Sequence, residues 1–309
     1  MKEGERVVSQ TISMVRKLIL PLVVIAATGI LTLTAHAADP EKAKEFFNQG
    51  LNAEKGGKTQ VAIDAYKAAI MKDPAYYDAY LNMGALLFKQ KQYDDALAAL
   101  KSATEKNPKG VDAFANLGLV QAQLQKFVEA EASLKTAMQL DPKRTDLLKS
   151  LAKVYLTRAN YAEAIATVEQ AHKAGIQDGQ TWFILGKGYQ KTDRANDAIA
   201  ALNKSLEFDS KNAQAWFAIG DINLNREKYV EAASAFKSAL RLDSKLVRAS
   251  FNYAVAMEQN APDSVNQNIG NWEQYVRLAR GNPKEKSNVD VAVNHVKELR
   301  DKKSKMTSE

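Results

Sequence analysis

The sequence repeats itself at every 34th position from about residue 43 onward. Two series of small residues keep this step, and they are offset from each other by 12 positions. The first series is Gly50, Gly84, Gly118, Ala152, Gly186, Gly220 and Ala254, and the second is Ala62, Ala96, Ala130, Ala164, Ala198 and Ala232. A fixed period of roughly 20 to 50 residues predicts stacked copies of one supersecondary unit.

Large apolar residues keep the same period and lie at helical spacing from the small ones. One series lies four residues before the first small series, at Phe46, Tyr80, Phe114, Leu148, Trp182 and Trp216. The other lies four residues after the second small series, at Tyr66, Leu100, Leu134, Val168, Leu202 and Phe236. Because a glycine or alanine lets a neighbouring helix approach more closely than a leucine does, we interpret these positions as the core between paired helices and not as a cofactor site.

Three prolines mark where the early units end. Pro74, Pro108 and Pro142 each lie 24 positions after a member of the first small series. A proline just past a helix stops that helix and presets the turn that follows. The first unit is therefore predicted to hold one helix over about 43–56 and a second over about 59–72.

This arrangement of small, large and proline positions resembles the tetratricopeptide repeat family, which is built from a 34-residue helix-turn-helix unit. The resemblance implies an all-α fold, a right-handed superhelix or α-solenoid of about seven repeats, over residues 43–284. The repeats are predicted to start near residues 43, 77, 111, 145, 179, 213 and 247. Residues 38–42 are predicted to be a short linker.

The seventh repeat departs from the pattern. Ser250 stands where an aromatic residue is expected, and Pro283 follows Ala254 by 29 positions where the earlier step is 24. We therefore expect five additional residues between the two helices of this repeat, near residues 261–264.

A basic helix is predicted after the seventh repeat. Four apolar residues fall on one of its faces, namely Val289, Val293, Val296 and Leu299. One apolar face on an otherwise polar helix is typical of the cap that ends a solenoid. We expect this capping helix over 285–303 and a disordered tail over 304–309.

Residues 1–37 have the three parts of a secretory signal peptide. Arg16 and Lys17 give a positive n-region, the stretch 18–38 contains no charged residue, and Ala35 and Ala37 are the small residues of a cleavage site. We therefore expect an exported, periplasmic protein whose cleaved form begins at residue 38.

Two alternatives remain open for this segment. It is long enough to act as an uncleaved anchor in the inner membrane that faces the protein toward the periplasm, since about 20 apolar residues can span a bilayer. Translation can also begin at Met14 instead of Met1, because Met14 directly precedes the positive residues.

Residue types that carry covalent or metal chemistry are scarce. The absence of cysteine excludes disulfides, thiolate metal sites and a cysteine nucleophile, and the three histidines are His36, His172 and His295. No glycine-rich nucleotide-binding motif occurs. We therefore expect no enzymatic activity, no cofactor, no metal site and no small-molecule substrate.

The formal net charge of +7 arises from 43 basic and 36 acidic residues, so the surface carries both signs. Nucleic-acid binding requires a basic stripe with stacking aromatic residues, and export disfavours it further, so no nucleic-acid partner is expected. Membrane contact is expected only through an uncleaved N-terminal segment. The run Lys302, Lys303 and Lys305 is interpreted as a solvated tail, and attraction to an anionic envelope surface is the alternative.

The predicted binding surface is the concave side, which the resemblance assigns to the first helix of each repeat. It also implies that residues two positions before the first small series point into this groove. That column reads Asn48, Asn82, Asn116, Ser150, Ile184, Ala218 and Asn252. A side-chain amide offers two donors and an acceptor, so evenly spaced asparagines can pair with the backbone of an extended peptide. The alternative is that short polar residues simply fit a crowded inner surface.

The neighbouring column, one residue earlier, holds three consecutive phenylalanines in its C-terminal half. These are Phe183, Phe217 and Phe251, and Lys153 and Lys187 lie near their edge. If exposed, the rings form an apolar stripe that marks a binding surface, and the lysines can meet acidic side chains. The alternative is that the rings pack against the next repeat.

One binding mode of the family is not expected. Some members grip a C-terminal carboxylate with lysine, asparagine and arginine at set inner positions. Only Asn82 fits that set among the corresponding residues here, which are Phe47, Leu51, Asn82, Asp112 and Asn116.

These features predict a protein-protein interaction scaffold of the cell envelope that holds a peptide or a partner helix in its concave groove. The alternative is an accessory subunit of an envelope assembly, such as polysaccharide or cell-wall machinery or a membrane-anchored assembly factor. Such a subunit would bind through its convex face or its cap. The sequence does not name the partner.

Overall fold

The computed structural model describes residues 38–307, and these residues are helical with short connecting turns and no strand. The predicted signal peptide lies outside the described residues. The helices are α1 (Pro40–Lys55), α2 (Thr59–Lys72), α3 (Tyr77–Lys89), α4 (Tyr93–Lys106), α5 (Val111–Gln123), α6 (Phe127–Leu140), α7 (Leu148–Thr157), α8 (Tyr161–Lys173), α9 (Gly179–Lys191), α10 (Ala195–Phe208), α11 (Ala213–Asn225), α12 (Tyr229–Leu242), α13 (Val247–Asn260), α14 (Val265–Ala279) and α15 (Lys286–Met306). Short 3₁₀ turns at Thr145–Leu147 and Pro283–Glu285 precede α7 and α15.

The chain separates into two compact units that divide after Tyr76. In its described part the first unit is the hairpin of α1 and α2. Tyr66 of α2 is fully buried, its hydroxyl donates a hydrogen bond to Glu54 (3.0 Å), and its ring lies 5.7 Å from that of Phe47. One large side chain therefore fills the space between the two helices of this unit.

The second unit, from Tyr77 to residue 307 in its described part, stacks the helix pairs α3/α4 through α13/α14 and adds α15. Each helix packs against the next one in the chain. The first helices of neighbouring pairs also adjoin, as α3 with α5, α7 with α9, α9 with α11 and α11 with α13. This unit is an α-solenoid in which equivalent residues of successive first helices line up across the repeats.

The closest approach inside a hairpin lies between the small residue of its first helix and a large residue of its second. A Cβ atom placed on Gly118 would lie 2.7 Å from Cγ of Leu134, and one on Gly220 would lie 2.6 Å from the ring of Phe236. Real Cβ atoms do not come this close to another carbon, so glycine is required for this spacing. The same contact recurs at Gly50 with Tyr66, Gly84 with Leu100 and Gly186 with Leu202.

The hairpin of α7 and α8 meets the same constraint with a different pair of residues. Ala152 takes the glycine position, and its partner position holds Val168, which is smaller than leucine. Both side chains are fully buried in one core cluster. Alanine is larger than glycine by one methyl group, and valine is smaller than leucine by one. The alanine and valine pair therefore fills about the same volume as a glycine and leucine pair.

This compensation can be tested by exchanging the sizes. Val168→Leu alone should lower the free energy of unfolding by about 1 to 3 kcal/mol through overpacking against Ala152. Adding Ala152→Gly should make room for the leucine, so the two changes should show a coupling of about 1 kcal/mol or more in urea denaturation. Val230→Leu, at a site that is 61% exposed, is the control and should change stability by less than about 0.5 kcal/mol. Strictly additive effects would show that the two side chains do not share this space.

Each turn inside a hairpin from α1 to α12 is three residues long, and its middle residue has a positive φ angle. Gly57 takes this place in the first hairpin with φ of 70°. In the later ones it is taken by Lys91, Gln125, Ala159, Asp193 and Glu227, with φ between 59° and 61°. A side chain in this left-handed region costs about 1 to 2 kcal/mol, so these five turns hold local strain.

Removing one of these side chains should therefore stabilise the protein. Ala159→Gly should raise the free energy of unfolding by about 0.5 to 1 kcal/mol, because the lost strain exceeds the added entropy of the unfolded chain. The matched control is Ala166→Gly, at an exposed position in the interior of α8, which should lower stability by about 1 kcal/mol. Thermal or urea denaturation measures both changes, and a loss of stability at residue 159 would contradict the strain.

Two predicted boundaries differ from the structure. Residues 40–42, predicted as linker, belong to α1, because Asp39 accepts a hydrogen bond from the backbone N–H of Lys42 (3.1 Å) and Pro40 fits the first helical turn. Residues 304–306, predicted as disordered tail, belong to α15, which contains neither glycine nor proline to end it earlier.

The five additional residues of the seventh repeat do not form one insertion between its helices. Compared with the preceding repeat, α13 is longer by one residue, the turn to α14 by one and α14 by one. The remaining two lie between the end of α14 and Pro283. The predicted position near residues 261–264 is therefore wrong for most of the insertion.

The capping helix α15 buries Ala292, Val296 and Leu299 against α13 and α14. Val293, which was predicted on the buried face, is 46% exposed, because the buried residues follow i, i+4 and i+7 from Ala292.

No helix within residues 38–307 is both long enough and apolar enough to cross a membrane.

Candidate functional site

A pocket of about 530 Å³ opens along the first helices of four successive hairpins, α3, α5, α7 and α9. Its apolar wall consists of Phe88, Leu119, Ala122, Phe127 and Val154. Its polar lining consists of Gln123, Gln125, Lys149, Ser150, Lys153, Thr157 and Gln180. The pocket arises because the stacked hairpins bring equivalent helix positions from neighbouring repeats together.

The two lysines of the pocket differ in their partners. Lys149 forms an ion pair with Asp178 at 2.8 Å. Burial by itself raises the pKa of Asp178, but hydrogen bonds from Lys149 and from the backbone N–H of Thr181 outweigh it and hold the pKa below its usual range. Lys153 is exposed, and its ammonium group has no ion pair or hydrogen bond within residues 38–307. The pocket therefore offers one cation that is free to meet an acidic group.

The predicted asparagine column divides into distinct groups. Asn82 on α3 and Asn116 on α5 are half-buried, and neither amide has a hydrogen-bond partner in the described part of the chain. They do not line the pocket, although Asn116 is one helical turn before Leu119, which does. Asn48 is exposed on α1 in the first unit.

In the middle of the second unit the residues of this column are buried. Ile184 and Ala218 are only 2% and 1% exposed, so α9 and α11 present no side chain to a ligand at this position. Ser150, the residue before them in the column, does line the pocket.

Polar groups of the C-terminal half bond to one another across three repeats. Asp221 on α11 accepts hydrogen bonds from the Gln190 amide on α9 (3.0 Å) and from the Asn252 amide on α13 (3.3 Å). The ammonium group of Lys187 donates to the Gln190 side-chain oxygen. Burial lowers the pKa of Lys187, and the positive charge of Lys191 lowers it further. Lys187 and Asn252, both predicted to face a ligand, are thus engaged within the protein.

The three predicted phenylalanines are half-buried and pack within the core. Phe183 packs against the cluster formed by α10 and α11. The Phe217 ring lies 5.7 Å from that of Phe236, and the Arg248 guanidinium lies 5.4 Å from its centre. The Phe251 ring lies 5.3 Å from Trp272 and 5.1 Å from Tyr275, in edge-to-face contacts. These rings contribute to packing between helices and do not form a freely exposed stripe.

Sequence reasoning did not identify most of the pocket residues. Leu119 directly follows a member of the first small series, as Lys153 does, and Phe88 and Ala122 lie four residues after one. Residues five positions after the series also contribute, as Gln123 and Thr157 do. These offsets from the 34-residue period were the signal that could have located the pocket.

Both histidines of the described residues, His172 and His295, contact polar side chains of neighbouring helices. Nε2 of His172 lies 3.1 Å from the Thr181 hydroxyl, and burial lowers the pKa of this histidine. Nε2 of His295 lies 2.9 Å from a Glu258 oxygen, which also accepts a hydrogen bond from Trp272. Within residues 38–307 no group of three or more histidine, aspartate or glutamate side chains could hold a metal ion.

The network around Asp221 should contribute measurably to stability. Asp221→Ala should lower the free energy of unfolding by about 1 to 2 kcal/mol, because two half-buried amides lose their acceptor. Asp197→Ala is the control, since it removes only the exposed ion pair with Arg194 and should cost less than about 1 kcal/mol. Equal losses for both variants in urea denaturation would contradict the proposed linkage of three repeats.

Models of known protein families match most of the repeat region. Two models, each described as tetratricopeptide repeat, match the sequence, one over residues 55–124 and 121–180 and the other over 184–246. Together they cover more than half of the chain. No curated protein matches the sequence significantly.

Solved structures with the same fold cover most of the chain at low sequence identity. A tetratricopeptide repeat protein from Parabacteroides merdae superposes with a TM-score of 0.58 at 13% identity, over 82% of this chain and 99% of its own. The C-terminal part of a repeat protein from Cytophaga hutchinsonii gives 0.59 at 17%, over 77% and 97%. Pseudomonas aeruginosa pilF gives 0.56 at 18%, over 70% and 96%. At these identities the similarity shows the fold alone.

The fold is typical of non-enzymatic scaffolds, and its repeats generally mediate protein-protein interactions. The 34-residue period, the helix pairs packed through small residues and the two matching family models agree. The chain belongs to the tetratricopeptide repeat family.

Proposed function

We propose that this protein is a non-enzymatic scaffold of the cell envelope that holds an extended peptide or a partner helix along α3, α5 and α7. The observation that carries this proposal is the pocket in which an apolar wall lies beside the ammonium group of Lys153, which has no ion pair or hydrogen bond within residues 38–307. Membership of a family whose repeats mediate protein-protein interactions supports it.

The pocket supplies the two kinds of contact that a peptide needs. Phe88, Leu119 and Phe127 can bury an apolar side chain, which contributes roughly 25 cal/mol for each Å² removed from water. Outside the pocket lining, on α3 and α5, the amides of Asn82 and Asn116 have no hydrogen-bond partner within residues 38–307 and can bond to a peptide backbone. Lys153 can pair with an acidic group. We expect micromolar affinity, about 8 kcal/mol, since ordering an extended ligand offsets part of the contact energy.

The hydrogen bonds within the C-terminal half support a ligand position along α3, α5 and α7. There Lys187, Gln190, Asp221 and Asn252 bond to one another, so a ligand would have to break those bonds to use them. In contrast, the polar groups proposed for binding on α3, α5 and α7 can form hydrogen bonds to a ligand without breaking any within the protein.

The envelope location rests on the N-terminal sequence. Arg16 and Lys17, the uncharged stretch that follows and the small residues Ala35 and Ala37 support export through a cleaved signal peptide. The intact mass of the protein recovered from the envelope tests this proposal. A mature species that begins at residue 38 is expected, and one that begins at Met1 or Met14 would contradict cleavage and favour the membrane anchor.

The alternative function is an accessory subunit of an envelope assembly that binds through its convex face or its cap. The observation that favours it is a basic cleft between α14 and α15, lined by Arg277, Arg280, Lys297 and Arg300. In that case changes on α3, α5 and α7 would leave partner binding intact.

Crosslinked capture from envelope extract distinguishes the two functions. Lys153→Glu, and separately the pair Asn82→Ala/Asn116→Ala, should reduce capture of the main partner by about tenfold, since one charged contact or two hydrogen bonds contribute about 1.4 kcal/mol. Lys237→Glu, at an exposed position of α12, makes the same charge change away from the pocket and should capture as the intact protein does.

Each variant should first show an unchanged circular dichroism spectrum and unfolding midpoint. Undiminished capture both by Lys153→Glu and by the asparagine pair would overturn the proposed groove and leave the outer faces and the cap as the binding surfaces.

A further inference from the structure

A second cleft, of about 460 Å³, lies between α14 and α15 and shares no lining residue with the pocket along α3, α5, α7 and α9. Its apolar lining is formed by Val276, Val293 and Val296. Val276 and Val296 are 8% and 7% exposed, whereas Val293 is 46% exposed. The cleft therefore has a recessed apolar floor that a ligand can reach beside Val293.

Positive charge surrounds this floor. Arg277 and Arg280 come from α14 and the residue after it, and Lys297 comes from α15. All three are exposed and have no ion pair within residues 38–307. The one carboxylate in the lining, Glu273, is already paired with Arg300 at 2.6 Å. Three cations thus remain available for an anionic ligand.

We propose that this cleft is a separate docking site for an acidic segment of a partner protein. One aliphatic or aromatic side chain of that segment lies on the valine floor, and flanking aspartate or glutamate carboxylates meet Arg277, Arg280 and Lys297. The guanidinium group binds carboxylates through two parallel hydrogen bonds, which gives geometric selection as well as affinity. An apolar anchor in a pocket with charges at its rim is the usual arrangement of an interface hot spot.

The shape of the cleft favours a protein segment over a membrane surface. Its volume of about 460 Å³ lies within the range of roughly 300 to 1,000 Å³ found for small-molecule pockets, so the cleft has room for one side chain of a peptide. A bilayer surface is instead met by cations on an open helix face, and the lysines of the α15 terminus, Lys302, Lys303 and Lys305, do not line the cleft. The proposal adds a binding site to the groove function and does not depend on it.

Selection from a phage library of random peptides on the intact chain identifies a probe. We expect a class of peptides in which aspartate or glutamate residues flank one apolar residue. A fluorescein-labelled peptide of that class should bind Arg277→Glu/Arg280→Glu about 30-fold or more weakly in fluorescence anisotropy, since two charge-assisted contacts become repulsive. Val293→Ser should weaken binding several-fold, because it removes apolar floor without changing charge.

Two controls separate this site from general electrostatics and from the groove. Lys237→Glu/Arg241→Glu changes the net charge by the same amount at exposed positions of α12 and should bind the peptide within about twofold of the intact protein. Lys153→Glu should bind it equally well. If the cleft variant and the α12 control lose affinity equally, or if the selection yields no acidic class, the proposal is wrong.

Sedimentation with phosphatidylglycerol vesicles tests the competing source of negative charge. Arg277→Glu/Arg280→Glu and the α12 control should sediment with these vesicles to the same extent, because the cleft does not bind lipid. Vesicle binding that Arg277→Glu/Arg280→Glu abolishes and that the α12 control retains would assign the cleft to anionic lipid and overturn the peptide assignment.

Discussion

The close contact between a small residue on the first helix and a large residue on the second determines how each of the first six hairpins packs. Where glycine faces leucine, tyrosine or phenylalanine, as at Gly118 and Leu134, an added Cβ atom has no room. In the hairpin of α7 and α8, Ala152 and Val168 together fill about the same volume as a glycine and leucine pair. Because this contact and the three-residue turn recur, the hairpins are alike, and in the second unit equivalent positions of successive first helices adjoin.

Alignment of equivalent positions brings side chains of neighbouring repeats together along the first helices. The core uses the small and large positions, so the other positions of the first helices are free to vary from repeat to repeat. Along α3, α5 and α7 they form an open pocket that includes Lys153, whose ammonium group has no partner in the described part of the chain. Along α9, α11 and α13 they form a polar network around Asp221. One architecture thus supplies both an open pocket and a polar connection between repeats.

The fold could be predicted from the sequence because the period is carried by buried residues. Ala130 and Leu134 are fully buried, as their periodic spacing indicates. The site was harder to predict because its side chains meet across repeats. Asn252 and Asp221 are 31 residues apart, and no local pattern shows that they bond. Similarly, the position of Phe251 in its column could not show that its ring packs on Trp272 and Tyr275, which lie 21 and 24 residues further along the chain.

In the proposed function, a partner contacts the protein along α3, α5 and α7, the first helices of three successive hairpins. Site-specific photocrosslinking measures this most directly, with a benzoylphenylalanine at Leu119 in the pocket or at Val230 on α12, which is 61% exposed. We expect a partner adduct from residue 119 and none from residue 230. An adduct from residue 230 with none from residue 119 would contradict it.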